Sequence, residues 1–294
     1  MRSYDEENFL NKIWIALKLI FYKNRIICHD FNRKAKRKRI NLNYYRIDSR
    51  NDIDNLGDYL SKIIYEKMIE YYHLNEDKVC KETKHLYAIG SILFTGFQDC
   101  TVWGTGIIRE YNETLAERIT LKYNTYFRKL DVRCVRGPKT RDVLLKCGVK
   151  CPAVYGDPAV LLPLFYEPKE LQKKDYIIIA HYTMDTTGMK NVINMKTCDY
   201  EYVIDQICSA KFVISSSLHG VILAEAYGIP AVLLDDGVEF TKFKYDDYYQ
   251  STGRKNYPIA KTVDEAMRIQ PPQIPDFENM RNKLLNSFPK DLWE

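Results

Sequence analysis

Phe212-Val213-Ile214-Ser215-Ser216-Ser217-Leu218-His219-Gly220-Val221-Ile222-Leu223-Ala224-Glu225-Ala226-Tyr227-Gly228-Ile229-Pro230-Ala231-Val232-Leu233-Leu234 carries a fold in one stretch. It reads as a buried strand, a polar turn, a helix opening near His219-Gly220, and a Gly-Ile-Pro stop that launches the next strand. Working outward, the strand-like runs are Ile40–Ile47, Leu86–Ile89, Thr101–Trp103, Asp131–Val135, Tyr176–Ala180, Phe212–Ser215 and Ala231–Leu234. Helix-like segments fall between and after them, at Leu56–Tyr71, Lys139–Cys147, Tyr200–Ala210, His219–Tyr227, Val263–Met267 and Pro275–Asn286. Runs such as Ile177-Ile178-Ile179 lack period-2 alternation, as expected of parallel strands covered on both faces. The reading is therefore α/β, with ligands at the carboxyl ends of strands.

Pro152, Pro158, Pro163 and Pro168 break any continuous element, so a boundary is expected there. Two Rossmann-like domains, 40–150 and 151–265, follow, with a C-terminal helical segment, 266–294, expected to pack back on the first. Residues 1–39 form an extension of their own.

That extension explains the charge. The 294 residues carry 44 Lys+Arg against 39 Asp+Glu, a net +5, yet six positive charges sit in Arg33-Lys34-Ala35-Lys36-Arg37-Lys38-Arg39. Removing those six from +5 leaves the other 287 residues at −1, so a surface built for nucleic acid is not expected. The apolar run Ile13–Tyr22 is too short to span a bilayer, which takes about 20 residues. On a helical period Ile13, Trp14, Leu17, Ile20 and Phe21 share one stripe. An apolar stripe plus a polybasic run is a two-signal pattern for an anionic leaflet, making residues 12–39 a membrane contact. The alternative is a helix packed on its own domain with a solvated basic loop. No secretory signal is visible, and the location expected is cytoplasmic, peripheral on the inner face of the membrane.

Eight cysteines lie scattered without CxxC spacing and read as reduced thiols. Cys147-Gly-Val-Lys-Cys151 has no second pair and no His at a ligand offset, so no metal site is expected. HExxH, GxxxxGK[ST] and GxGxxG are all absent.

The polar turns carry the chemistry. Ser215, Ser216, Ser217 and the free N–H groups near Gly220 make a phosphate or carboxylate site at a strand's carboxyl end; an N-cap role alone would also account for Ser217. An imidazole in the first helical turn sits in a positive field that favours its neutral form, so His219 is the first candidate for proton exchange. Arg136, Lys139 and Arg141 bracket a second strand-to-helix turn, where a guanidinium would grip an anion bidentately; solvated helix residues are the alternative for Lys139 or Arg141. Further strand ends offer Ser91 beside Gly90, Gly104-Thr105-Gly106, Asp157 in Gly156-Asp-Pro158, and His181-Tyr182. Asn55 and Asp58 open the first long helix across the cleft.

Taken in order, Asn55-Leu-Gly-Asp58, Gly90-Ser91, Trp103-Gly-Thr-Gly106, Val135-Arg-Gly-Pro138, Gly156-Asp-Pro158, Ala180-His-Tyr182, Ser215-Ser-Ser-Leu-His-Gly220, Glu225-Ala-Tyr-Gly-Ile-Pro230 and Phe243-Lys-Tyr-Asp-Asp-Tyr-Tyr249 resemble the polysaccharide pyruvyl transferases. The resemblance covers about residues 50 to 255. It implies a fold like the GT-B glycosyltransferases and transfer of pyruvate from phosphoenolpyruvate, with no cofactor, onto a sugar of a bacterial surface polysaccharide (exopolysaccharide or capsule) or its lipid-linked precursor, as a cyclic ketal. Many members have Arg immediately before the Leu-His pair, where this chain has Ser217. If that Arg binds donor phosphate, Arg136, Lys139 or Lys244 carries more of the task here, or the donor site differs. In this scheme Arg136 clamps the donor with the Ser215–Ser217 turn, and His219 protonates the enol methylene. Asp157, His181 or a solvent chain deprotonates the acceptor hydroxyl. Asn55, Asp58, Ser91, Gly104, Thr105, Tyr182 and Glu225 line the acceptor side. Two other readings remain: a nucleotide-sugar glycosyltransferase with Glu225 on a ribose, and a catalytically silent scaffold of a polysaccharide assembly complex.

Overall fold

The computed structural model describes residues 39–47, 54–78, 80–81, 84–96, 98–111, 114–237 and 241–294. The amphipathic and basic segment expected at 1–39 lies outside them except for Arg39.

In chain order the first part holds β1 (Ile40–Asn43), α1 (Leu56–Tyr71), β2 (Lys84–Tyr87), β3 (Cys100–Trp103), α2 (Leu115–Lys122) running into a π-helical turn (Tyr123–Phe127), β4 (Leu130–Cys134) and α3 (Pro138–Lys146). A 3₁₀ helix (Pro158–Leu164) leads to β5 (Ile177–Ala180), β6 (Val192–Asn194), α4 (Tyr200–Ser209), β7 (Val213–Ser215), α5 (Leu218–Ala226), β8 (Ala231–Leu234), α6 (Lys242–Ser251) and β9 (Ile259–Ala260). Two helices, α7 (Val263–Ala266) and α8 (Glu278–Ser287), close the chain with a short 3₁₀ turn (Lys290–Trp293). The strands form two sheets, β1-β2-β3-β4 and β6-β5-β7-β8-β9, and every pairing in both is parallel.

The central strands lack alternation because both faces are covered. Ile177, Ile179, Val213 and Leu233 face α4 and α5, while Ile178, Ile214 and Val232 meet Ala260 and Ala266 on the other side. Burying each such side chain is worth roughly 1.5–3 kcal/mol. In α1 the apolar positions Leu56, Leu60, Ile63, Ile64 and Met68 recur at helical spacing and are buried. The prolines expected only to break structure instead shape the 3₁₀ turn: Pro158 opens it, where a missing N–H costs nothing, and Asp157 caps it.

Two links fix the end of α1. The Leu56 N–H donates to the Met195 carbonyl at 2.8 Å, and Asn55 bridges Lys196 in the loop after β6. The helix N-terminus is thus pinned against the carboxyl ends of the second sheet. At the far side, the Trp103 indole donates to the Leu284 carbonyl at 3.0 Å, and Phe288 lies edge-on to Trp103, so the residues after α8 seal β3. Among the described residues no helix is long and apolar enough to cross a membrane.

Candidate active site

Where α5 begins, Gly220 makes the close approach possible. A Cβ there would lie 2.2 Å from Ser215 Oγ and 2.6 Å from Ile179, so only glycine lets the helix settle onto β5 and β7. Ser215 itself is fully buried and donates to the Ile179 carbonyl, while its Oγ accepts the Ser217 N–H at 3.1 Å. Ser216 Oγ accepts the His181 N–H at 2.9 Å, and the Ser216 carbonyl accepts from the Tyr245 hydroxyl. These two hydroxyls build the turn. Ser217 is the N-cap residue of α5 but makes no side-chain cap bond, and an α-helix leaves its first-turn N–H groups without intrahelical partners. The positive end of α5 therefore carries no side-chain cap.

His219 stands in that first turn with 10% of its side chain exposed. Its Nε2 lies 3.5 Å from Asp157 Oδ2, and both atoms are buried with no hydrogen-bond partner among the described residues. Asp157 is fixed from behind, because its Oδ1 accepts the Ala159 N–H at 3.0 Å at the start of the 3₁₀ turn. The other ring nitrogen, Nδ1, lies over Gly57 on α1, where a Cβ would come within 2.3 Å. Gly57→Ala should therefore push the imidazole off Asp157: we expect at least a tenfold loss of turnover with little change in melting temperature, checked by kinetics beside thermal unfolding.

Asp58 completes this corner. Asn55 Nδ2 donates to its Oδ2 at 2.6 Å, and its Oδ1 approaches Gly90, whose φ of +99° and closeness to the carboxylate both require glycine. Burial raises the Asp58 carboxyl above its ordinary range, against the lowering influence of His219, of the Asn55 hydrogen bond and of Lys244. His181, at the end of β5, is pushed down to about 4, chiefly by burial and then by the Lys244 and His219 charges, so its ring is neutral at physiological pH. Its Nδ1 meets Thr183 Oγ1 at 2.7 Å and its ring packs on Tyr182. The structure thus gathers His219, Asp157, Asp58, Asn55, His181, Tyr182 and Lys244 with the serine turn.

Other residues expected at the site are held elsewhere. Arg136 is 1% exposed: Nε pairs with Asp247 Oδ2 at 3.1 Å, Nη1 donates to Ser91 Oγ at 2.8 Å, and Nη2 donates to the Ile107 carbonyl at 2.6 Å. Asp247 also takes the Thr140 N–H and hydroxyl at 2.9 and 2.7 Å, so the anion place at the N-terminus of α3 is filled by a carboxylate of the protein. Lys139 pairs with Asp246 at 3.1 Å. Gly104, at φ +95°, abuts Pro158, and Thr105 is fully buried with its hydroxyl on the Gly90 carbonyl at 2.8 Å. Glu225, 1% exposed, receives Arg254 bidentately at 2.6 and 2.7 Å and the Tyr248 hydroxyl at 2.6 Å, rather than facing a ligand. The sequence reading holds Gly57 and Asp247 only inside the motifs Asn55–Asp58 and Phe243–Tyr249, without a role for either, and does not name Arg254; two adjacent acids inside the aromatic run were the available signal for Asp247.

Among the described residues no group of three or more His, Cys, Asp or Glu is arranged to hold a metal ion. The uncapped α5 terminus and Lys244 suit an anionic ligand, and the Asp157–His219 pair suits proton transfer beside it.

Comparison with known proteins gives the family. The chain is 27% identical over 244 residues to the uncharacterized protein L143 of Acanthamoeba polyphaga mimivirus, covering 75% of this chain and 77% of that protein. It is 28% identical over 156 residues to the succinoglycan biosynthesis protein ExoV of Rhizobium meliloti, covering 47% of this chain and 46% of ExoV. An uncharacterized protein of Klebsiella pneumoniae of known structure aligns over 84% of this chain and 99% of that chain, at 15% identity and a TM-score of 0.44. The sequence profile of the polysaccharide pyruvyl transferases matches residues 8–237, from before β1 to beyond β8 and through every residue of the Asp157–His219 corner. The chain belongs to the polysaccharide pyruvyl transferase family.

Proposed function

We propose that the chain transfers pyruvate from phosphoenolpyruvate to a sugar of a surface polysaccharide or its lipid-linked precursor, forming a cyclic ketal. The observation that supports this reading is the buried Asp157–His219 contact at the N-terminus of α5, which has no side-chain cap. We further infer that the two parallel sheets form Rossmann-like halves set as in GT-B enzymes, with the cleft between their carboxyl ends, and that the protein works at the inner face of the membrane.

The donor carries a phosphate and a carboxylate. The first-turn N–H groups of α5, the Ser217 hydroxyl and Lys244 receive these anions, in place of the Arg136 clamp that the sequence points to. Asp157 orients the His219 ring and stabilises it when protonated. His219 delivers its proton to C3 of phosphoenolpyruvate, the C2–C3 double bond supplying the electron pair, and C2 becomes electrophilic. A sugar hydroxyl adds to C2 and releases its proton to Asp58, whose affinity for protons burial raises, or to the neutral His181 ring. The C2–O bond to phosphate then breaks, phosphate leaves with the electron pair, and a neighbouring hydroxyl closes the ketal while losing its proton. Phosphoenolpyruvate and a diol become a ketal and inorganic phosphate, so no oxidant or reductant is required.

Thermal shift with phosphoenolpyruvate against a panel of nucleotide sugars tests the donor. Phosphoenolpyruvate should raise the melting temperature, by an amount that grows with its concentration. Stabilisation by a nucleotide sugar alone would contradict the reading.

A further inference from the structure

Between β3 and β4, where Ile107 is buried and Tyr111 and Leu121 pack on the core, the chain ends in a turn that leaves two aromatic side chains outside. On α2 and the π-helical turn, Glu117, Thr120 and Asn124 are buried. Tyr126 and Phe127 are 77% and 66% exposed, the most exposed large hydrophobic residues among those described. Their rings meet edge-on at 5.1 Å, and Tyr123 stacks on Phe127 at 5.9 Å. The turn is anchored from beneath. Arg128, 4% exposed, donates to the carbonyls of Gln98, Leu93 and Thr95 and to Asn124 Oδ1, and Asn124 donates in turn to the Thr120 and Phe94 carbonyls. A buried guanidinium holding a π-helical turn keeps the rings outside, against the tendency of such rings to bury.

Charge indicates what these rings meet. Arg118, Lys122 and Lys129 are exposed around them. The acid of α2, Glu117, is drawn into its capping box and pairs with Arg109; of the exposed acids nearby, Asp99 accepts the Lys129 N–H, and Asp131 and Asp291 are both paired with Arg133, while Glu110 precedes the helix. Arg39, half-buried, lies at the same end of the sheet. The Arg39 carbonyl accepts the Lys84 N–H at the start of β2, as the Lys129 carbonyl accepts that of Cys100 at the start of β3. With neighbouring strands about 4.8 Å apart, Arg39 and Lys129 lie within roughly 15 Å of each other across the four strands.

We propose that the Tyr123–Phe127 turn is a lipid-contact tip that seats the chain on an anionic membrane surface. Aromatic rings occupy the interfacial zone while Lys and Arg stems reach the headgroups. The tip is distinct from the cleft and does not depend on the reaction chemistry.

Co-sedimentation of the full chain with vesicles of phosphatidylcholine and phosphatidylglycerol tests it. The double variant Tyr126→Ser/Phe127→Ser should bind about tenfold more weakly with an unchanged melting temperature, because both side chains already face solvent. Lys122→Gln and Lys129→Gln should each weaken binding about fivefold at low salt, with reduced sensitivity to added salt. Failure of the unaltered chain to bind these vesicles, or equal binding by the ring variant, overturns the proposal. So does a ring variant that converts a dimer to a monomer in sedimentation velocity while vesicle binding stays constant, which would mark the face as a contact between two copies.

Discussion

Asp157→Asn should leave the fold intact and slow pyruvate transfer by on the order of 10² to 10⁴-fold. The amide keeps the volume and the Oδ1 bond to the Ala159 N–H, so the cap of the 3₁₀ turn survives. What changes is the partner of His219. A carboxylate 3.5 Å away favours a proton on Nε2, whereas an amide turned with its N–H toward the ring favours a lone pair there and a proton on Nδ1. The ring then loses the negative charge that stabilises it once it takes up a proton. Turnover and thermal unfolding measured together check this: the rate should collapse while the melting temperature moves by only a few degrees. A rate near that of the unaltered chain would remove Asp157 from the chemistry and leave it as a helix cap. Asp157→Ala should add a stability loss of about 1 kcal/mol through the missing cap.

The second large effect is on stability. Arg136→Met should cost roughly 3–5 kcal/mol, because it leaves the fully buried Asp247 charged with only Thr140 as partner. For a chain of this size that corresponds to a fall in melting temperature on the order of 10 °C. Donor affinity measured below the new melting point should be nearly unchanged, since the guanidinium holds Asp247, Ser91 and Ile107 inside the protein. A large loss of phosphoenolpyruvate affinity with normal stability would instead return Arg136 to the donor site. Arg136→Met/Asp247→Leu should recover part of the loss, as removing both members of a buried pair is milder than removing one.

These two residues also show what the sequence could and could not reveal. The turn after β7 was legible because its signals are local: an apolar strand, three serines, a helix start and a Gly-Ile-Pro stop lie within two dozen residues. The turn after β4 looked equivalent, with Arg136 and Lys139 at a helix start. Its anion place is taken by Asp247, 111 residues from Arg136, a pairing that no local pattern announces. The position of Asp157 was likewise readable as a turn carboxylate, but its contact with His219 depends on how the 3₁₀ turn packs against α5.

Element by element the same division holds. The strands β5, β7 and β8 stand out as unbroken apolar runs since both their faces are covered. β1 ends at Asn43 rather than Ile47, and β6 went unread because three half-buried residues, Val192–Asn194, give neither a run nor an alternation. α2 escaped notice for a physical reason: among its described side chains Glu117 and Thr120 are the buried ones, and Leu121 is only partly buried against the core. α6 escaped because Phe243, Tyr245, Tyr248 and Tyr249 alternate with charges and are all buried, so no single face is apolar.

The central claim is that His219, set by Asp157 at the mouth of α5, drives transfer from phosphoenolpyruvate. Its most direct test is inorganic phosphate released from phosphoenolpyruvate in the presence of glycan acceptors, measured for the unaltered chain and for His219→Ala. The unaltered chain should release phosphate only when acceptor is present, and the variant should lose at least 10²-fold of that rate; a His219→Ala protein that releases phosphate at the full rate would exclude His219 from the proton transfer.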